Sequence, residues 1–156
     1  MRRIGHVTTQ LSLALFSLCH ASPLVADTVS VLDTVVVTSS RESQEKRELA
    51  ESVSVASQQD IETVQPGHPA ELTNRMAGVH VNNLGGEGHM TAIRQPLTTQ
   101  GVYLFLEDGI PTRPTGLFNH NGLYEINIPQ AGGVEITKGP GSALYGSDSI
   151  GGVINV

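Results

Sequence analysis

The first 26 residues combine a basic start with one short apolar run. Two arginines precede the run at residues 11–18, and the small residues Ala21 and Ala26 follow it. This order is typical of a secretory signal peptide, which is cleaved after a small residue. The run is much shorter than the ~20 apolar residues that a membrane-spanning helix needs. We therefore expect residues 1–26 to be a signal peptide cleaved after Ala26, with cleavage after Ala21 or a buried N-terminal helix as the alternatives.

A short β-branched run and then a polar, charged stretch follow this segment. Residues 34–38 read Thr-Val-Val-Val-Thr, and β-branched side chains favour an extended backbone. Residues 39–51 are rich in arginine, lysine and glutamate, which is typical of a solvated linker. We expect a strand near a free N-terminus that waits for a partner, joined to the rest by a flexible linker. The alternative is an ordinary first strand of the domain.

Two helix-start signals come next. The spacing of Ser57 and Asp60 predicts a capping box at the start of a helix that ends near Pro66. Pro69 stands where the first residue of a second helix is expected. That second helix is predicted to continue as far as Gly78.

From residue 79 onwards the pattern favours short strands separated by glycine-rich turns. Strands are expected at residues 79–81, 92–94, 102–106, 134–138 and 151–156. Loops are expected at residues 82–89 and 112–123, and a tight turn is expected at residues 107–109. One helical turn is predicted at residues 142–145.

Composition and charge narrow the classes of function. The 156 residues are 38% apolar and 4% aromatic, with no Trp, which suits one domain with a modest core and makes a large autonomous enzyme unexpected. The net charge of −6 argues against nucleic acid as a partner. Cys19 is the only cysteine and lies in the predicted signal peptide. The exported chain would therefore have no thiol.

The glycine-rich segment at residues 139–152 has the spacing of several catalytic motifs but lacks the residue that each one needs. A phosphate loop requires a lysine where Ser147 stands. A dinucleotide fingerprint requires a glycine where Leu144 stands, and a nucleophile elbow requires a glycine in place of Ser147. The four histidines after residue 26 do not have metal-ligand spacing. We therefore expect no catalytic centre, no cofactor and no metal site, and hence no enzyme.

Taken together and in order, these segments resemble the plug domain of TonB-dependent outer-membrane receptors. Residues 33–39 resemble a TonB box, residues 69–79 the early helix and strand of the plug, and residues 102–111 its next strands. The most specific match is residues 134–156, which read Val-Glu-Ile-Thr-Lys-Gly-Pro-Gly-Ser-Ala-Leu-Tyr-Gly-Ser-Asp-Ser-Ile-Gly-Gly-Val-Ile-Asn-Val.

This resemblance implies a fold and a division into domains. The fold is α+β, with a small mixed β-sheet, short helices and long loops. Residues 27–51 would hold the TonB box and a flexible linker, and residues 52–156 the plug domain. Receptors of this family close a barrel of about 22 strands around the plug. We expect this chain to be a plug truncated before that barrel.

The resemblance also implies function, partners and sites. The receptor would take up a scarce nutrient across the cell outer membrane, although the fragment alone would be periplasmic. Its partners would be TonB with the inner-membrane energising complex, a cognate β-barrel and a small-molecule chelate. The residues expected to bind TonB are Asp33, Thr34, Val35, Val36, Val37, Thr38 and Ser39. The residues expected in ligand-binding apical loops are Glu87, His89, Gln100, Arg113, Phe118, Asn119 and His120. Those expected to contact the barrel are Arg94, Glu135 and Lys138.

The ligand expected from this resemblance is a ferric siderophore or another iron chelate. Two alternatives stay open at this point. One is a receptor for haem or cobalamin, since the loops of the barrel help to choose the ligand. The other is a stand-alone periplasmic module that binds a ligand or TonB.

Overall fold

The structure is a computed structural model, and it describes residues 34–36, 38, 40–86, 88–112, 122–124 and 126–156. All of these belong to one compact unit that spans residues 32–156. The predicted signal peptide lies outside the described residues. The described strands are β1 (Val35–Val36), β2 (Gln44–Glu45), β3 (Ser52–Ser57), β4 (Val79–Gly85), β5 (Gly88–Ile93), β6 (Tyr103–Glu107), β7 (Ile110–Thr112), β8 (Gly133–Lys138) and β9 (Gly152–Asn155). The described α-helices are α1 (Gln58–Val64), α2 (Pro69–Thr73) and α3 (Ser142–Tyr145).

Five of the strands form a mixed sheet in the order β3-β8-β9-β6-β7. Strands β6 and β9 are parallel, and the other neighbouring pairs are antiparallel. The central strands are apolar on both faces, and all of Tyr103, Leu104, Phe105 and Leu106 in β6 are buried. A strand covered on both faces is expected to be nearly continuous in apolar residues. The sheet and the short helices confirm the α+β fold.

The two faces of the sheet are covered by different elements. Phe105 packs in the larger core with residues of α1, α2 and the β4–β5 hairpin. Leu104 and Leu106 form a smaller core with Val153, against which Tyr145 of α3 packs. Successive side chains of a strand point to opposite faces, so α3 lies against the face opposite to α1 and α2. The N-terminal segment contacts the face of the sheet that α3 covers.

Helix α1 begins at the predicted capping box. The Ser57 hydroxyl accepts from the Asp60 N–H at 3.2 Å, and the Asp60 carboxylate accepts from the Ser57 N–H at 2.8 Å. The Ser57 hydroxyl also donates to the Asp60 carboxylate at 2.7 Å, and this hydrogen bond, followed by the one from the Ser57 N–H, lowers the pKa of Asp60. The helix ends at Val64, and Gln65 adopts the left-handed conformation with φ 47°. The predicted boundaries of this helix are confirmed.

Helix α2 begins at Pro69 as predicted, but its predicted end was wrong. The helix stops at Thr73 instead of continuing to Gly78. The reason lies in the next residue, Asn74, whose side-chain amide pairs with both backbone groups of Val81 at 2.6 and 2.8 Å. This pairing turns the chain directly into β4.

The prediction of a loop at residues 82–89 was also wrong, because residues 82–86 and 88–89 belong to a β-hairpin. Strands β4 and β5 are antiparallel and pair from Val79↔Ile93 to Gly85↔Gly88. The Asn82 side chain accepts from the Met90 N–H at 2.6 Å. Asparagine is typical of loops, but here it stabilises the pairing of β4 with β5. Gly85 and Gly86 have φ 100° and 55°, and a tight reversal of this kind favours glycine.

The segment at residues 39–51 contains more regular structure than the predicted flexible linker. Its strand β2 pairs antiparallel with β1, with Val35 opposite Glu45. A 3-10 turn, Lys46–Glu48, follows β2, and the Lys46 N–H donates to the Thr34 carbonyl at 2.9 Å. Backbone hydrogen bonds, which the side-chain pattern does not reveal, form this ribbon. None of the described helices is long and apolar enough to cross a membrane.

Candidate functional site

The candidate site is the ribbon formed by β1 and β2 and the surface of the plug against which the ribbon lies. The β1–β2 ribbon is a separate sheet and does not join the five-stranded one. One of its valines, Val36, is fully buried, whereas Val35 is 51% exposed. The strand therefore presents one side chain to the plug and one away from it, as period-2 alternation requires.

Thr38 is the residue that attaches the N-terminal strand to the central sheet. Its N–H donates to Oε2 of Glu135 at 2.8 Å, and its hydroxyl donates to the same oxygen. Glu135 lies in β8, at the middle of the β3–β8–β9 pairing. Thr38 is only 2% exposed and Glu135 is partly buried, so these charge-assisted hydrogen bonds are partly shielded from water.

The remaining polar group of Thr38 is held by the short helix α3. The Tyr145 hydroxyl donates to the Thr38 carbonyl at 2.8 Å. The guanidinium of Arg41 lies over the Tyr145 ring, 4.7 Å from its centroid, and donates to the Leu144 carbonyl at 2.6 Å. Two hydrogen bonds and one cation–π contact therefore join the residues just after β1 to helix α3.

A polar cleft of about 550 Å³ opens beside these contacts. Its walls come from the N-terminal segment, the β6–β7 turn, β8, α3 and the end of β9. The lining residues are Thr38, Arg41, Asp108, Gly109, Glu135, Tyr145 and Asn155. A smaller cavity of about 60 Å³ lies on the α3 side and is lined in part by Thr38, Tyr145 and Thr137. Among the residues that the structure describes, the buried Thr137 hydroxyl has no hydrogen-bond partner.

The structure describes four of the seven residues predicted to bind TonB. Thr34 and Val35 are exposed, whereas Val36 and Thr38 are buried against the plug. The other three, Asp33, Val37 and Ser39, lie outside the described residues.

Of the seven predicted ligand-binding residues, the structure describes His89 and Gln100. His89 was expected in a loop but lies in β5, where it is fully buried. Gln100 is exposed, and its N–H donates to the Thr98 hydroxyl at 3.1 Å. The residues that fall outside the described part of the chain are Glu87, Arg113, Phe118, Asn119 and His120.

His89 belongs to a cluster of three aromatic rings that sequence reasoning missed, in which both histidines are buried and Tyr124 is partly buried. Its ring lies 5.9 Å from the ring of His68 and 5.8 Å from that of Tyr124. His68 Nδ1 accepts from the Ala70 N–H at 3.0 Å, and His89 Nε2 accepts from the Leu123 N–H at 3.3 Å. These two lone pairs are therefore not available to a metal. No group of three metal-ligating side chains occurs among the described residues.

Two of the three predicted barrel-contacting residues lie together. Arg94 donates to the Ser52 hydroxyl at 2.7 Å and to the Lys138 carbonyl at 3.5 Å. The Lys138 ammonium donates to the Ala77 carbonyl at 2.5 Å and is 8% exposed. Burial, and then repulsion from Arg94 and Lys46, lowers the pKa of Lys138. Glu135, by contrast, bonds to Thr38 at the N-terminal strand.

The sequence and the fold match one known family. Residues 45–153 match the family model of the TonB-dependent receptor plug domain, and the chain belongs to this family. It is 39% identical over 150 residues to the vitamin B12 transporter BtuB of Vibrio vulnificus, covering 94% of this chain and 24% of that protein. The chain therefore spans about a quarter of the length of this curated relative.

Solved structures with the same fold include outer-membrane receptors. The ferripyoverdine receptor of Pseudomonas aeruginosa, bound to ferripyoverdine, superposes with a TM-score of 0.58 at 20% identity, over 78% of this chain and 16% of that one. The alcaligin receptor FauA of Bordetella pertussis gives a TM-score of 0.59 at 20% identity, over 78% of this chain and 20% of that one. At this identity the likeness concerns the fold alone.

Proposed function

We propose that this plug is the gate of an outer-membrane receptor that imports a large metal chelate with energy delivered through TonB. The observation that carries the proposal is the position of the N-terminal strand. Among the described residues, β1 pairs with β2 and with no strand of the central sheet, so it can be pulled away without breaking the five-stranded ladder. We call this N-terminal segment, residues 33–39, the handle. A segment that can be pulled away suits a plug that has to change conformation while its core stays folded.

TonB would bind the handle by adding a strand to it. An extended, β-branched segment has backbone donors and acceptors that pair with an exposed sheet edge, and side-chain pockets then give specificity. The proposed binding residues are Asp33, Thr34, Val35, Val36, Val37, Thr38 and Ser39. The exposed Val35 supports this assignment, because its side chain is already accessible to a partner.

Contact with the surrounding barrel is proposed for Arg94 and Lys138. Burial lowers the pKa of Lys138 most, and repulsion from the neighbouring Arg94 lowers it further, so a negative charge near the two cations would be favourable. A carboxylate on the barrel wall would relieve the repulsion. Glu135 is less suited to such a contact, because its carboxylate accepts from Thr38.

The ligand would be bound on the side of the plug that carries the β4–β5 hairpin tip. Tyr124, which directly follows the predicted loop at residues 112–123, donates from its hydroxyl to the Gly86 carbonyl in the other predicted loop at 3.4 Å. The proposed contacts include Gln100 and the predicted residues outside the described part of the chain. His89 would support these segments from within, through its hydrogen bond to Leu123.

The ligand class proposed is a metal chelate, with two candidates. The resemblance in the sequence favours a ferric siderophore or other iron chelate. The relative named as a vitamin B12 transporter, which is 39% identical, favours cobalamin. We also propose export by the signal peptide at residues 1–26, location in the outer membrane, and transport without an enzymatic step.

Binding of the handle to TonB tests this proposal. A synthetic peptide of residues 31–41 is titrated with the purified periplasmic domain of TonB in a calorimeter. The matched control peptide carries Val36→Pro, because proline removes the backbone N–H that a strand partner needs. We expect saturable binding of the first peptide and a loss of at least about tenfold for the second, a change of about 1.4 kcal/mol. No binding, or equal binding of both peptides, would contradict the proposal.

A further inference from the structure

The turn between β6 and β7 contains the one aspartate of the chain that is followed by a glycine, Asp108. Strand β6 ends at Glu107 and β7 begins at Ile110, and these two residues are paired. Asp108 and Gly109 have φ 50° and 77°, as the tightest hairpin connections require. Both residues are exposed to solvent. The turn is therefore short and accessible, and it consists of a dipeptide that can react with itself.

An Asp-Gly peptide can rearrange without an enzyme or a cofactor. The amide nitrogen of the glycine attacks the side-chain carboxyl carbon of the aspartate, so a C–N bond forms, a C–O bond breaks and water leaves. Glycine favours this step because no Cβ crowds its nitrogen. Water then adds to either carbonyl of the resulting succinimide ring. Addition at the side-chain carbonyl restores aspartate, whereas addition at the main-chain carbonyl gives isoaspartate, in which the chain runs through the side chain.

We propose that Asp108 is a site of spontaneous isoaspartate formation and that the Asn155 side chain slows this reaction by holding the Gly109 amide. Asn155 is a positioning residue, because it acts on the attacking nitrogen through a hydrogen bond and takes no part in the bond changes. The inference concerns the chemical lifetime of the fold and does not depend on the proposed function.

The hydrogen bond of the Gly109 amide is the observation that supports protection. Its N–H donates to Oδ1 of Asn155 at 2.9 Å. Asn155 is itself fixed at the end of β9, where it lies opposite Leu106 and Glu135. The nitrogen has to lose its proton in order to attack, and a proton that is shared with an amide oxygen is lost less readily. The hydrogen bond also restrains the nitrogen from turning towards the carboxyl carbon.

The surroundings of the turn leave room for the succinimide ring. Apart from chain neighbours, no described atom lies within 4 Å of the position that a Cβ on Gly109 would take. The turn borders the polar cleft of about 550 Å³, which gives water access to the ring. Asp108 donates to the Val156 carbonyl at 2.9 Å through its backbone N–H, a contact that does not engage the carboxyl group. Both steps of the reaction can therefore take place at this turn.

Isoaspartate at position 108 would weaken the edge of the central sheet. The main chain would lengthen by the side-chain methylene of Asp108. The turn length fixes the register of a hairpin, so the pairing of Phe105 with Thr112 and of Glu107 with Ile110 would be disturbed. Strand β7 lies at the edge of the sheet. Its pairing can therefore be lost while β3, β8, β9 and β6 stay paired.

Incubation of the folded full chain tests the proposal. Isoaspartate is detected as a proteolytic peptide of unchanged mass and altered retention time. Asn155→Ala removes the acceptor, and the matched control Asn155→Asp keeps an oxygen that can accept. The wild-type chain unfolded in guanidinium chloride gives the rate without the hydrogen bond. Asn121 also precedes a glycine, but deamidation changes the mass of its peptide, so the two signals are distinct.

The loss of one hydrogen bond shifts an equilibrium between held and released amide by about threefold to tenfold. We expect the Asn155→Ala chain to form isoaspartate at position 108 about threefold to tenfold faster than the wild type. Hydrogen exchange at the Gly109 amide should rise by a similar factor, with unchanged exchange in β8. The Asn155→Asp chain should react as the wild type does, and the unfolded wild-type chain should react faster than the folded one.

The proposal of a reactive site fails if no isoaspartate forms at position 108 in the unfolded chain. The protective role of Asn155 is refuted if Asn155→Ala and the wild type react at equal rates although the Gly109 amide exchanges faster in the variant. Exchange in β8 shows whether the variant is folded. If it is not folded, equal rates in the folded and the unfolded wild-type chain would refute protection instead.

Discussion

At the scale of single residues, polar side chains complete backbone hydrogen bonds where this chain changes direction. Ser57 and Asp60 cap α1, Asn74 ends α2, and the Tyr103 hydroxyl accepts from the Ile93 N–H at 2.9 Å. A buried backbone group without a partner costs free energy, so each of these side chains fixes a local geometry. The capping box could be predicted because both of its members lie within four positions. The roles of Asn74 and Tyr103 could not, because their partners lie 7 and 10 positions away in the sequence.

The capping box predicts a dependence of stability on pH. The pKa of Asp60 is lower in the folded chain because of its hydrogen bonds with Ser57. A carboxyl whose pKa is depressed by folding stabilises the fold above its unfolded pKa of about 3.9. That stabilisation is lost as the pH falls through the lower, folded pKa. We expect the free energy of unfolding to fall less steeply between about pH 5 and pH 2 in Asp60→Asn than in the wild type.

Urea unfolding across this pH range measures the effect. Glu62→Gln is the matched control, since Glu62 lies on the same helix outside the capping box. The free energy of unfolding of the Glu62→Gln chain should depend on pH as steeply as that of the wild type. Parallel curves for the wild type and Asp60→Asn would contradict this role of the box.

At the scale of elements, the alternation of apolar and polar residues predicted strands better than it predicted the connections between them. Strand β8 was found where Val134 and Ile136 alternate with polar neighbours. The β4–β5 hairpin was missed because asparagine and glycine dominate its tip. The 3-10 turn Gly122–Tyr124 overlaps the end of the predicted loop at residues 112–123, yet Leu123 is fully buried there. A loop composition does not reveal that one of its residues fills the core.

The packing of that turn predicts the effect of one added methyl group. A Cβ on Gly122 would overlap the ring of Phe105, which is fully buried. Extra volume in a close-packed core costs about 1–3 kcal/mol. We expect Gly122→Ala to lower the free energy of unfolding by this amount in urea titrations.

Gly132→Ala is the control for this substitution. A Cβ on Gly132 would have no neighbour within 4 Å, so its effect on stability should be close to zero. Equal effects of the two substitutions would show that Gly122 is not packed against Phe105 as described.

At the scale of the whole molecule, the site is made by contacts between distant parts of the chain. Thr38 meets Glu135 across 97 positions and Tyr145 across 107 positions. The sequence indicated both regions, one as a TonB box and the other as a glycine-rich motif, but no spacing rule connects them. The cluster of His68, His89 and Tyr124 is hidden from sequence for the same reason. The resemblance to a known family was enough to predict the fold and the class of protein. The contacts between the handle and the plug could be identified only from the structure.

The central claim is that the N-terminal strand delivers energy and does not bind the ligand. The measurement that tests it most directly uses the whole receptor containing this plug, with residues 33–39 replaced by a glycine-serine segment of equal length. Cell-surface binding and uptake are measured separately with labelled cobalamin and with labelled ferric citrate. For the ligand that the unaltered receptor transports, we predict near-normal binding and abolished uptake. Loss of binding together with uptake, or uptake that continues, would contradict the account.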